Sequence, residues 1–106
     1  MPKYLITATY AAEGSAGVMK EGGSGRKNAI DKLVSNLGGS IESFYFAFGE
    51  TDVYVTCDLP DNTTAAAVAL AVNSSKSAHV NTVVLMTPEE VDQATEKTVE
   101  YRRPGA

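Results

Sequence analysis

The chain has 106 residues, enough for one domain with a modest core, because a domain of this size buries only about two thirds of the surface its unfolded chain exposes. Thirteen acidic residues against nine basic ones give a formal net charge of −4, and the basic residues form no long run, so neither nucleic acid nor an anionic membrane is an expected partner. A single cysteine, Cys57, excludes an intrachain disulfide and a paired-cysteine metal site; with no signal-peptide apolar region at Met1–Ile6 and no apolar run longer than Ala65–Val72, the expectation is a cytoplasmic protein.

From Lys3 to Tyr10 the residues alternate, with Tyr4, Ile6, Ala8 and Tyr10 on one side and Leu5, Thr7 and Thr9 on the other, which is a strand pattern. Five glycines between Gly14 and Gly25 then argue against one regular helix, and predict a short helical turn near Ala16–Lys20 followed by a loop. Ser24 is placed to cap the next helix, where Ala29, Ile30, Leu33, Val34 and Leu37 recur at helical spacing and Gly38-Gly39 closes the C-terminus. Ser40–Phe48 and Val53–Cys57, joined by Gly49-Glu50-Thr51-Asp52, form a β-hairpin and are expected at the centre of the sheet. Its first strand is apolar on both sides, with Phe44, Phe46 and Phe48 on one face and Ile41, Tyr45 and Ala47 on the other.

Leu59-Pro60 stops the hairpin, Asp61-Asn62 offers an N-cap, and Thr63–Asn73 is an alanine-rich helix. A polar connection over Ser74–His79 leads to a β-branched strand at Val80–Met86. Thr87-Pro88-Glu89-Glu90 is a capping box with proline at the first helical position, opening a helix that runs to about Val99. Residues 1–99 therefore read as one domain and residues 100–106 as a tail. The order β-α-β-β-α-β with an extra helix specifies an α+β, ferredoxin-like fold: a four-stranded antiparallel sheet, two helices on one face, and a C-terminal helix. With Val53, Val55 and Cys57 turned to the helices, the other face collects Thr7, Thr9, Tyr45, Ala47, Tyr54 and Thr56. Such a half-apolar, hydroxyl-rich surface suits a second copy of the chain.

The segments Tyr10-Ala-Ala-Glu13-Gly14, Lys20-Glu-Gly22-Gly23-Ser-Gly-Arg26, Leu37-Gly-Gly, Phe44-Tyr-Phe-Ala-Phe-Gly49-Glu-Thr-Asp52-Val-Tyr and Leu59-Pro-Asp carry a resemblance. Over about its whole length the chain resembles the GYD domain family of small bacterial proteins. The Gly-x-Tyr-Asp motif of that name maps to Gly49, Glu50, Thr51 and Asp52, with Thr51 in the place of the tyrosine. The resemblance implies a ferredoxin-like fold of the dimeric α/β-barrel type, and it implies no established reaction.

Three groups of residues carry chemistry. Gly22, Gly23, Ser24 and Arg26, with Lys27, put amides, a hydroxyl and cations at a helix start, which suits a phosphate or carboxylate; the plainer reading is a tight loop with Arg26 paired to Glu13 or Glu21. His79, the only histidine, is the obvious acid or base, or else an exposed structural residue. Tyr10, Tyr45 and Tyr54 with Asp52 would line a cleft, unless the tyrosines only pack and Asp52 only holds its turn. No metal-ligand set can be named, and with neither a Walker nor a Rossmann pattern no cofactor is expected. The expected function is a homo-oligomeric module that binds a small anionic or aromatic ligand or is purely structural. The alternatives are a cofactor-free monooxygenase or isomerase with His79, Asp52 and tyrosines converging, and a regulatory protein sensing a metabolite at Arg26. The tail is expected to dock on a neighbouring subunit through Tyr101, with Arg102 and Arg103 as donors to carboxylates.

Overall fold

A computed structural model describes residues 1–106. The alternating segments become strands β1 (Lys3–Tyr10), β2 (Ser40–Phe46), β3 (Val53–Asp58) and β4 (Ala78–Leu85); the helices are α1 (Ala12–Asn36), α2 (Asn62–Ser74) and α3 (Pro88–Thr95). All neighbouring strands are antiparallel in the order β2-β3-β1-β4, which is the ferredoxin-like arrangement with α3 appended. The hairpin is therefore not the middle of the sheet. β3 is central, but β2 is an edge, because the split connection inserts β3 beside β1.

The core lies between the sheet and α1 and α2. Tyr4, Val53, Val55 and Cys57 from the strands meet Val34 of α1, Ala65 of α2 and Leu59, all under a tenth exposed. Tyr4 is buried to its hydroxyl, which donates to Asn62 Oδ1 at 2.6 Å and ties β1 to the start of α2. Asp61 caps that helix by accepting from the Thr64 N–H at 2.8 Å. Burial of Cys57 pushes its thiol up, the behaviour of a small core hydrophobe rather than a nucleophile.

Register sets which residues face the helices. Phe44 lies opposite Val55 and Phe46 opposite Val53, on the helix side, while Tyr45 faces Tyr54 on the open side. Ile41 departs from the simple alternation. A bulge between Ile41 and Ser43 places Ile41 opposite Cys57, so it packs on the core instead of joining Tyr45 on the open face. The extra residue, Glu42, turns its carboxylate to Lys3, which also lies 3.2 Å from Asp58. Phe48 and Ala47 lie beyond the end of β2, and Phe48 is fully exposed rather than part of a phenylalanine face.

The glycine-rich segment is helical: the turn expected near Ala16–Lys20 is present and extended, and the loop expected after it does not form. α1 runs from Ala12 to Asn36 and breaks only at Gly22, whose φ of 78° and ψ of 164° lie in a region essentially open to glycine alone. Gly22, not Ser24, is thus the non-helical residue before the second half, and Ser24 sits inside the helix. Propensity is overridden by close approaches that favour glycine: a Cβ at Gly14 would collide with the Ser77 carbonyl oxygen, and one at Gly23 would lie 3.1 Å from the Phe46 ring. At the other end Gly38, with φ 84°, completes a Schellman cap: Gly39 N–H donates to Val34 and Gly38 N–H to Ser35.

β4 starts two residues earlier than the β-branched run suggests, so His79 lies within the strand. α3 has the full capping box between Thr87 and Glu90 but ends at Thr95, four residues before Val99, because nothing packs on its last turn. Every residue from Met86 to Ala106 is exposed. The chain measures 56 × 33 × 23 Å with a radius of gyration of 16.9 Å, against about 13 Å for a compact chain of this length.

Candidate functional site

Asp52 builds the site. It closes the β2–β3 connection, where its N–H donates to Ala8 at 2.9 Å and its carbonyl accepts from Ala47 at 2.8 Å. Its carboxylate accepts from the Tyr10 N–H at 2.8 Å. One residue thus pins the end of β1, the loop after β2 and the start of β3. The Thr9 hydroxyl adds a bond to the Glu50 carbonyl at 3.2 Å, and the Ala11 N–H donates to Ser77 at 2.9 Å, so the end of β1 is held from both neighbours.

Tyr10 is an even-numbered residue of β1 and points to the helix side. There an open cleft of about 420 Å³ lies between the first half of α1 and the β2–β3 loop, lined by Tyr10, Ser15, Val18, Gly23, Phe46, Ala47, Phe48 and Asp52. The Phe46 ring rests against Gly23, where an added Cβ would come within 3.1 Å of it. Phe46 also meets Phe44 edge to face with ring centres 5.3 Å apart. Behind Tyr10 a smaller cavity of about 80 Å³ runs between sheet and helices, bordered by Ile6, Ile30, Phe44, Val68 and other apolar residues. Tyr10 lines both spaces. Arg26, half-buried on the second half of α1, is the only charged residue lining the inner one.

The electrostatics follow from that placement. Burial raises the Tyr10 phenol above its ordinary value, and the Arg26 guanidinium draws it partly back. Arg26 pairs with no carboxylate, so the anticipated partnership with Glu13 or Glu21 does not form; the neighbouring Lys27 is the residue that pairs, with Asp31 at 2.8 Å. A half-buried guanidinium without a counter-ion, beside a phenol and an apolar cavity, is suited to the acid end of a small apolar molecule.

Of the residues singled out from sequence, the structure brings together Tyr10, Gly23, Arg26 and Asp52. It separates the others. Gly22 forms the break in α1, and Ser24 lies exposed inside the helix. Tyr45 and Tyr54 pair across β2 and β3 on the open face, and His79 lies on that same face, opposite Thr9. His79 and the Tyr10–Arg26 pair are thus on opposite sides of the sheet, so a centre combining His79, Asp52 and Tyr10 does not form. Ser15, Val18, Phe46 and Phe48 were not foreseen as cleft residues. The spacing of Ser15 and Val18, three residues apart, carries the signal for those two once the segment is read as helix.

The family model described as GYD domain matches residues 4–95. No curated protein and no solved structure matches the chain.

Proposed function

The chain belongs to the GYD domain family, and from that premise we propose that it is a homo-oligomeric module that binds a small apolar or aromatic anion across the open cleft and the inner cavity, which share Tyr10. The observation that carries this reading is Arg26, an unpaired guanidinium as the one charged group on an otherwise apolar inner cavity. A carboxylate or phosphate satisfies the guanidinium, and the apolar body of the ligand lies against Phe46, Val18 and the Tyr10 ring. Asp52 has a supporting role, since its carboxylate is already engaged by the Tyr10 N–H. Self-association uses the open face of the sheet, where Leu5, Thr7, Tyr45, Tyr54, Thr56 and Val83 are gathered by register.

Thermal unfolding in the presence of benzoate, indole carboxylates, their neutral amides and inorganic phosphate tests the ligand class. An aromatic carboxylate stabilises in a concentration-dependent way, by about 2.7 kcal/mol at one hundred times its dissociation constant, and the amide does not. Arg26→Gln removes the effect. Equal shifts from acid and amide, or a shift that survives Arg26→Gln, contradict the assignment of Arg26 as the anion contact.

A further inference from the structure

We propose that residues 87–106 form an arm that leaves its own domain and docks in the groove between α1 and α2 of a second copy of the chain. An eight-residue helix is below the length that is stable alone in water, yet α3 is capped at its N-terminus by a complete box and buries no residue. No hydrogen bond or ion pair joins residues 87–106 to the body; the tail bonds only to itself, Arg102 Nε donating to the Ala106 carbonyl at 2.7 Å. The arm nonetheless carries apolar groups to bury: Pro88, Val91 and Ala94 at helical spacing, then Val99 and Tyr101, which are 77% and 75% exposed.

The receiving surface is chosen by shape and charge. Between α1 and α2 lies an apolar groove of about 340 Å³ lined chiefly by Leu33, Leu37, Val68 and Val72. α2 carries no charged residue, so the charge at the groove comes from α1, where Lys32 lies one turn before Asn36 at its edge and pairs with no carboxylate. α3 is the complement, with Glu89, Glu90 and Asp92 and no basic residue. The open sheet face offers no such match, since its one lysine, Lys3, already pairs with Glu42 and Asp58 and the rest of the face is mostly threonine, tyrosine and valine around His79. Every residue of the arm is exposed, so it is not seated in its own groove; the occupant is another copy's arm, and exchange is reciprocal.

Engineered cysteines in full-length chains test this, because native Cys57 is fully buried and silent. Chains bearing Ala94→Cys are mixed with chains bearing Ala71→Cys and mildly oxidised. A thiol-reversible two-chain species is expected from the mixture and not from either variant alone. Absence of that species, or a disulfide that forms only within a chain carrying both substitutions, overturns the proposal. Charge reversal at Glu89→Lys with Asp92→Lys is expected to raise the dissociation constant of the assembly about tenfold at low salt, with part of the loss recovered by adding Lys32→Glu. An unchanged dissociation constant overturns it equally. Neither readout involves the cleft, so failure of the anion assignment leaves this inference standing.

Discussion

Asp52 and Leu59 show how much a single side chain carries in a domain with so small a core. The Asp52 carboxylate accepts from the Tyr10 N–H, a bond from a charged acceptor to backbone at the rim of the cleft. Asp52→Ala is expected to destabilise by about 1–3 kcal/mol and Asp52→Asn by less, since the amide oxygen remains an acceptor; denaturant midpoints at constant slope measure both. Leu59 is fully buried, and Leu59→Ala is expected to cost about 2–5 kcal/mol by leaving a cavity beneath β1 and α2. Tyr10 gives a pH-dependent outcome. Its folded phenol is raised mainly by burial and lowered in part by Arg26, so Arg26→Gln should raise it further, as read by NMR titration of the ring. The sign for stability follows: above the ordinary tyrosine value of about 10 the unfolded chain loses its proton first, and the stability due to Tyr10 falls as pH rises through the higher folded value. An Arg26→Gln titration that moves down rather than up contradicts the proximity of the two groups.

At the scale of elements, the two helices over the sheet are held by different devices. α1 depends on its break, because Gly22 adopts a backbone conformation closed to other residues. Gly22→Ala is expected to cost about 1–3 kcal/mol, and to weaken ligand stabilisation as well, since straightening α1 disturbs the contact of Gly23 with Phe46 and shifts Arg26. Unchanged stability in that variant would mean the two halves of α1 tolerate another junction. α2 depends on Asp61, whose carboxyl is held below its ordinary value by the Thr64 hydroxyl and N–H. A depressed folded value gives stability that is present above the unfolded value and lost as pH falls through the folded one. The difference between wild type and Asp61→Ala is therefore expected to be full at neutral pH and to vanish in acid, as followed by unfolding at a series of pH values. A gap that persists in acid assigns the effect to packing instead.

For the whole molecule, the governing fact is surface left uncovered. Tyr45 and Tyr54 are 69% and 43% exposed, Val83 is 48% exposed, and the exposed arm from Met86 onward adds more. Sedimentation at micromolar concentration is expected to give a dimer or a multiple of it, and Tyr54→Lys with Val83→Lys is expected to lower the mass by charging the open sheet face in both copies at once. A wild-type monomer under those conditions would remove both the open sheet face and the arm from any role in assembly.

The strands, the capping box at Thr87, the Schellman closure at Gly38 and the order of elements were legible because each rests on neighbours in sequence: alternation, helical spacing and the φ that glycine alone accepts freely. From that order the ferredoxin-like sheet followed, and so did the helix-side placement of Val53, Val55 and Cys57. What the local pattern did not contain was whatever depends on contacts distant along the chain. The bulge at Glu42 reassigns Ile41 because Cys57 offers burial that strict alternation denies it. The glycines of α1 became helix where Gly14 comes close to the Ser77 carbonyl and Gly23 to Phe46, contacts distant along the chain. Composition made Arg26 a candidate and supplied it with partners in Glu13 and Glu21, but only the fold decided that it stands unpaired beside Tyr10 and that His79 faces the other way. Side-chain type is a property of the sequence, whereas the face a residue occupies and the charge it lacks are set by register and by the path of the backbone in space.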